Sequence, residues 1–320
     1  MKILATIKNA QTIGISGHVR PDGDSVGASL GLYLYLKKHR PHARIDLYME
    51  EPPEVFRHLR GMDEICAAND ADDIIYDVFF ALDSAKERLG EVEKHFTQAK
   101  LRINIDHHVS NNGIGDINVV RPHVASTCEV LYELLDEPVD IDADIAQALY
   151  MGIAHDTGMF RFSGTSPRTL EVAALLLAHD FDFVQLIHDT VYEKTYVQQQ
   201  ILGRALLESI IFMDGRAIVS ALDKKILDFY QASPGDLEGI VGQLMMTQGV
   251  ECAIFIHQLG SLEYKVSLRS AGRVNVAQIA TFFGGGGHMR AAGVTMKGTV
   301  HDVVNNLSYH IEQQILKSDV

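Results

Sequence analysis

The sequence predicts an α/β protein: an N-terminal domain built on a parallel sheet with helices on both faces, joined by a helical linker to a smaller α+β C-terminal domain. Three observations carry this. Short apolar strands alternate with helical stretches through residues 1–185, the pattern of a parallel sheet covered on both sides. Beyond about residue 206 that pattern gives way to paired strands. The 320 residues also exceed the size at which a single core usually stops growing, about 250–300 residues.

In chain order, "TIGISG" (12–17) reads as a strand and "SVGASLGLYLYLKK" (25–38) as a helix with Ser25 as its N-cap. "RIDLYM" (44–49), "DVFFAL" (77–82) and "RINI" (102–105) are further strands, and helical stretches run over 125–136, 141–155 and 167–179. Residues 186–205 are polar and helical without a clean apolar stripe, which suits a linker. "SIIFMDGRAIVSAL" (209–222) predicts a hairpin turning at Asp214-Gly215, residues 250–270 a second hairpin, and 300–316 a closing helix. The expected boundaries are therefore 1–185, 186–205 and 206–320.

Composition narrows the function. At 47% hydrophobic and 22% charged the chain is ordinary for a globular protein, and no apolar run approaches the roughly 18 residues of a membrane span. The N-terminus lacks the continuous apolar stretch of a signal peptide, so a cytoplasmic enzyme is expected. The three cysteines are widely spaced, which suits a reducing compartment and packing roles. A formal charge of −14 argues against long nucleic acid bound on a broad basic surface, though not against a short nucleotide in one site.

Four clusters concentrate the chemistry. "GHVRPDGDSVGAS" places His18, Asp22 and Asp24 in a loop between strand and helix. Asp83 ends the most hydrophobic strand, "FFALDSA". "INIDHHVSNN" delivers Asp106, His107 and His108 at a strand tip, and "GIAHDTGMFRF" delivers Asp156. Taken singly, these carboxylates read as turn or cap residues. In a parallel sheet, however, ligands bind beyond the carboxyl ends of the strands, and there the clusters gather. Imidazole with carboxylate suits Mn²⁺ or a similar divalent ion. Five carboxylates and three imidazoles exceed what one ion needs and suit a pair.

These motifs, in this order, resemble those of the DHH phosphoesterase superfamily, and "FGGGGHMRAAG" (283–293) resembles the signature of its DHH-associated C-terminal domain. Length and layout are most similar to the bacterial oligoribonuclease (nanoRNase) and 3′-phosphoadenosine-5′-phosphate (pAp) phosphatase group. The resemblance implies that His18 and Asp22 hold one Mn²⁺, that Asp24, His107 and Asp156 hold another, and that Asp83 bridges both; Mg²⁺ and Co²⁺ are the alternatives. It implies that His108 meets the reacting phosphate or the nucleophilic water and that Asp106 fixes a neighbouring imidazole.

Substrate contacts are expected from Arg269, from Gly285, Gly286 and Gly287 in an anion-cradling loop, from His288, and from Ser126, whose bland role is an N-cap. Phe160 and Phe162 are expected in the core, and His155 is not expected to be a ligand. The partners implied are short oligoribonucleotides or small bisphosphorylated nucleotides, with no long nucleic acid and no membrane; a homodimer is left open. Competing readings are a cyclic-dinucleotide or pApA phosphodiesterase and, from another class, a non-catalytic nucleotide sensor.

Overall fold

The computed structural model describes residues 2–70, 74–135 and 141–318. The chain divides into two compact units, Met1–Glu193 and Lys194–Val320. Residue 136, the last of the stretch expected to be helical at 125–136, lies outside the described residues.

The first unit runs α1 (Ile3–Thr6), β1 (Thr12–Ser16), α2 (Gly23–His39), β2 (Arg44–Tyr48), β3 (Ile65–Cys66), β4 (Val78–Leu82), α3 (Glu93–Gln98), β5 (Arg102–Asp106), β6 (Ile117–Val120), α4 (Thr127–Leu134), α5 (Ala143–Asp156), α6 (Pro167–Leu177) and α7 (Phe183–Ile187). The sheet order is β3-β2-β1-β4-β5-β6, and every pairing is parallel. A parallel strand buried on both faces needs apolar residues on both, and β4, "VFFAL", is buried throughout. Val78, Phe80 and Leu82 enter the core formed with α2, α4 and α5. Phe79 and Ala81 enter the opposite layer with Tyr48, Tyr76 and Phe96.

The chain moves outward one way from β1 through β2 to β3, and the other way from β4 through β5 to β6. The switch point therefore lies between β1 and β4, where open α/β sheets form their crevice. His18 follows one of these strands and Asp83 the other. Behind them α2 and α5 approach closely. A Cβ at Gly27 would stand 2.5 Å from the Ala148 carbonyl, and one at Gly152 only 2.2 Å from Cys128 Sγ. Glycine at both positions lets the helices carrying Asp24 and Asp156 come together.

The second unit comprises α8 (Tyr196–Leu207), β7 (Ile210–Phe212), β8 (Ala217–Leu222), α9 (Lys224–Tyr230), α10 (Ile240–Met245), β9 (Cys252–Gly260), β10 (Glu263–Ser270), α11 (Val276–Phe282), β11 (Gly286–His288), β12 (Ala291–Lys297) and α12 (Val300–Ser318). Its sheet, β11-β12-β10-β9-β8-β7, is antiparallel except between β8 and β9. Both hairpins form, the first turning through positive φ at Met213, Asp214 and Gly215.

The stretch 186–205 is not one continuous connector. Leu186 and Ile187 pack into the first unit's core, a π-helical turn follows at His188–Tyr192, and Ile201 and Ala205 belong to a core of the second unit. Among the described residues no helix is long and apolar enough to cross a membrane.

Cys128 and Cys252 are fully buried, whereas Cys66 is partly exposed. Burial pushes the Cys252 thiol up to about 12, and burial with the nearby Asp24 charge pushes up Cys128. Native protein at neutral pH should therefore show Ellman's reagent at most one thiol, and urea-unfolded protein all three. Rapid labelling of two or more native thiols would contradict this packing.

Candidate metal centre

β1 ends at Ser16, and His18 follows in a turn where it is 3% exposed. Its Nδ1 lies 2.9 Å from the Val19 carbonyl and 2.8 Å from Arg88 Nη2. Its Nε2 faces Asp22 Oδ2 at 3.7 Å and Asp83 Oδ2 at 3.6 Å. That Nε2 is buried and makes no hydrogen bond.

The N-cap of α2 is Asp22 rather than Ser25. Asp22 Oδ1 accepts from the Asp24 and Ser25 amides at 3.2 and 3.1 Å. Ser25 instead accepts the His18 amide on Oγ at 3.1 Å, tying loop to helix. Asp24, inside the first turn, points the other way. Its Oδ2 accepts from the Thr127 amide at 2.6 Å and its Oδ1 from the Cys128 amide at 3.0 Å. The carboxylate thus sits on the positive end of α4.

Asp83 follows β4 with φ +53°, a left-handed backbone uncommon for a residue with a side chain. Thr127 Oγ1 donates to its Oδ1 at 3.0 Å. The same oxygen is 3.7 Å from His107 Nε2 and 3.4 Å from His108 Nδ1, while Oδ2 faces His18. One carboxylate thus stands between the histidine of β1 and the pair after β5.

Asp106 organises that pair. Its Oδ1 accepts the amides of His107 (2.6 Å) and His108 (2.9 Å) and the His108 ring Nδ1–H (2.8 Å). Asn111 Nδ2 donates to its Oδ2, and also to Asn104 Oδ1 and the Ser84 carbonyl at 3.0 and 3.1 Å. Asn104 in turn donates to the carbonyls of Ala81 and Ser84 at 3.1 Å, bracing the turn that carries Asp83. The sequence reading missed these two asparagines. Their signal was present: Asn104 is a polar residue at a buried position of an apolar strand.

His107 Nδ1 donates to the Val124 carbonyl at 3.2 Å, which leaves Nε2 free to face Asp156 Oδ2 (3.2 Å) and Asp24 Oδ2 (3.8 Å). Three ligand sets result, each with its atoms within 4.8 Å of one another: His18, Asp22 and Asp83; Asp24, His107 and Asp156; and Asp83, His107 and His108.

Electrostatics mark the same place. Burial, then the charges of Asp83 and Asp156, raises the Asp24 pKa well above the usual carboxylate range. Burial, opposed by His107 and aided by Asp83, pushes Asp156 up to about 6. The Asp106 and Asp83 carboxylates push His108 up to about 10. Crowded carboxylates that resist ionisation, around a buried imidazole nitrogen without a partner, fit divalent cations. The donors are all oxygen and nitrogen, which suits Mn²⁺, Mg²⁺ or Co²⁺.

Other expected residues fall differently. Ser126 is fully buried, and its hydroxyl accepts from the Glu129 amide at 3.1 Å, so it caps α4 and offers no surface to a substrate. Phe160 is half-buried against the core, but Phe162 is 58% exposed and lies over Gly158, contrary to expectation. His155 packs edge-on to Phe56 at 5.4 Å, beneath Gly23.

In the second unit, Gly286, Gly287 and His288 form the edge strand β11 rather than a free loop. A Cβ at Gly285 would lie 2.3 Å from the Gly293 carbonyl, and Gly287 has φ +144°, so glycine is required at both. Arg269, on β10, stands opposite Ala291, which stands opposite His288. Burial lowers the Arg269 pKa.

Residues 12–153 match the DHH family, N-terminal domain, and residues 214–317 match the DHHA1 domain. A relative from Thermus thermophilus, named bifunctional oligoribonuclease and PAP phosphatase NrnA, is 33% identical over 305 residues, which covers 93% of this chain and 89% of the relative. The chain belongs to the DHH family. A Bacillus subtilis relative of the same name is 26% identical over 301 residues, covering 92% of each. The crystal structure of an exopolyphosphatase-related protein from Bacteroides fragilis superposes with a TM-score of 0.88 at 25% identity, covering 97% of this chain and 94% of that one. RecJ of Thermus thermophilus, solved with Mn²⁺, gives a TM-score of 0.53 at 15% identity over 97% of this chain and 52% of its own, a likeness of DHH fold alone.

Replacing Asn111 by Ala removes the donor of three buried contacts and strands the Asp106 and Asn104 oxygens. Each lost partner costs about 1–3 kcal/mol, so urea unfolding of Asn111→Ala should show a loss of roughly 2–4 kcal/mol. A loss under about 0.5 kcal/mol would mean the network does not brace the site.

Proposed function

We propose that this DHH protein is a metal-dependent phosphoesterase that hydrolyses short oligoribonucleotides to mononucleotides and pAp to AMP. The observation that carries the reading is Asp83, whose two oxygens face His18 on one side and His107 and His108 on the other. The activities named for its NrnA relatives point to the same substrates. His18 and Asp22 would hold one ion, and Asp24, His107 and Asp156 the other, with Asp83 shared. Mn²⁺ suits this donor set, and three free thiols suit the reducing cytoplasm.

When bound, such a pair of ions supplies Lewis acidity that activates water and offsets phosphoryl charge. The chain's own residues do the rest. Val124 holds the His107 ring through Nδ1, so that its Nε2 presents a lone pair to the cluster, while Val19 and Arg88 both meet His18 at Nδ1 and leave its Nε2 facing the carboxylates. Asp106, with Asp83, pushes the His108 pKa up, which favours the protonated ring in the metal-free protein. With Nδ1–H committed to Asp106, Nε2–H is the donor left for a phosphoryl oxygen or the leaving group. In the second unit Arg269, Gly285, Gly286, Gly287 and His288 would bind a phosphate group of the substrate. The net charge of −14 disfavours long nucleic acid.

The test is a panel of pAp, pApA, cyclic di-AMP, RNA of two to five nucleotides and polyphosphate, each with Mn²⁺, Mg²⁺ and Co²⁺. Hydrolysis of pAp and short RNA is expected, and Asp83→Ala should lower kcat/KM by at least about a thousandfold, close to 4 kcal/mol. Cleavage of cyclic di-AMP or pApA with pAp and RNA intact would replace this reading by the dinucleotide one. Binding without hydrolysis of any substrate would leave a sensor. Arg269→Ala should act on capture, raising KM about tenfold with a smaller fall in kcat.

A further inference from the structure

The second unit carries a cation that the proposed reaction leaves unused. Along β10 the side chains of Lys265, Ser267 and Arg269 alternate outward from Val266 and Leu268, which are buried. Strand register arranges this face in rows. Arg269, Ala291 and His288 form one row across β10, β12 and β11. Two residues along, Ser267, Gly293 and Gly286 form the next. Two further on, Lys265 stands between Thr295 on β12 and His257 on β9. At a rise of 3.3–3.4 Å per residue, successive rows lie about 7 Å apart, comparable to the spacing of neighbouring phosphates along a single strand.

The middle row is a floor of bare backbone. A Cβ at Gly286 would meet nothing within 4 Å, and one at Gly293 only the Val266 carbonyl at 3.5 Å and Lys265 Cε at 4.0 Å. Packing therefore does not demand glycine at either position, unlike Gly285 and Gly287 beside them. The second distance also shows where Lys265 goes: its stem leans over Gly293, so the ammonium is carried to the edge of the floor.

Among the described residues neither Lys265 nor Arg269 is paired with a carboxylate, although nearby Arg273 pairs with Glu251. His257 adds no charge at neutral pH, because burial and Lys265 lower its pKa. Residues 194–320 carry as many basic as acidic side chains, so two cations without carboxylate partners, flanking an open backbone floor, are local positive charge that an anion could use.

We propose that this face is a phosphate track for oligoribonucleotides of three or more nucleotides: the Arg269 and His288 row takes one phosphate, and Lys265 above the Gly286–Gly293 floor takes the next. The substrate class rests on the proposed function. A lysine serves as a point charge without reading sequence, and the missing side chains let a sugar–phosphate backbone approach the sheet. pAp, with a single phosphate besides the scissile one, has nothing to place on Lys265.

The test compares pAp with a 5′-phosphorylated tetraribonucleotide, by kcat/KM in wild type and Lys265→Ala and by calorimetric binding in the Asp83→Ala background with and without Lys265→Ala. Lys265 is exposed, so its truncation leaves no cavity. The tetranucleotide should lose about tenfold more than pAp, and its binding should lose about 0.7 from the slope of log affinity against log salt, the share of one single-strand phosphate. Lys265→Arg should retain the preference, and Gly293→Val, which fills the floor with the charge intact, should lose it. Equal losses on both ligands, or none, would overturn the track. Lys265-dependent binding without hydrolysis would instead sink the proposed function and leave the track standing; hydrolysis of both ligands with equal losses would do the reverse.

Discussion

Repulsion among buried aspartates is the constraint on which the first unit depends. Asp24, Asp83 and Asp106 are each about 1% exposed; Asp83, Asp106 and Asp156 lie at the carboxyl ends of β4, β5 and α5, and Asp24 in the first turn of α2. Such a group is tolerable only where something offsets each charge. The protein offsets part of it. Asp24 rests on the first amides of α4, and Asp106 is surrounded by two amides, an imidazolium and a carboxamide. Asp83 receives one hydroxyl and keeps a left-handed backbone, which is strain held where three imidazoles converge. Fully neutralising all of them with protein donors would stabilise the fold and leave nothing for a cation. The incomplete neutralisation is the functional feature, and the raised pKa values of Asp24 and Asp156 are its signature.

This division of labour explains what could be read in the chain and what could not. The strands carrying the clusters stand out because fully buried parallel strands are continuous apolar runs, and an acid at the end of "VFFAL" is conspicuous. The two outer strands β3 and β6 are less legible: Ile65–Cys66 has two residues, and β6 is only half-buried, so neither has a strong pattern. Long-range satisfaction is not legible at all. That Thr127 and Cys128 would offer their amides to Asp24, 103 and 104 residues away, follows from the α2–α4–α5 packing and from no local spacing. The cap of α2 misled for a related reason. Asp22 and Ser25 are both good caps, and the choice was made by the His18 amide, which takes the serine hydroxyl. Ser126 conversely had an ordinary local role that the family pattern obscured.

In the second unit the legible element was composition, and the illegible one was register. A run of four glycines suggests a loop, because nothing in it announces a strand. In the structure, pairing with β12 draws three of its residues into a sheet edge, and each glycine acquires a separate reason to be glycine. Gly285 and Gly287 are required by contact and by backbone conformation, whereas Gly286 and Gly293 have open space above them. Only the last kind of glycine shapes a surface, and the sequence cannot separate it from the first.

Net charge and local charge act on different length scales, and in the second unit a sum of zero conceals two cations without carboxylate partners. At physiological salt the Debye length is about 8 Å, roughly one row of the β10–β12 face. A phosphate lying over Lys265 or Arg269 therefore senses those cations, neither of which has a protein counter-ion. A phosphate several nucleotides further along lies beyond the reach of both, and residues 194–320 carry as many acidic as basic side chains, so no net attraction replaces them. Attraction that ends after a few phosphates, against a background of no net charge, selects for length without any wall. A ligand gains with each phosphate until the track is filled, and beyond that each additional nucleotide brings charge with no partner to receive it.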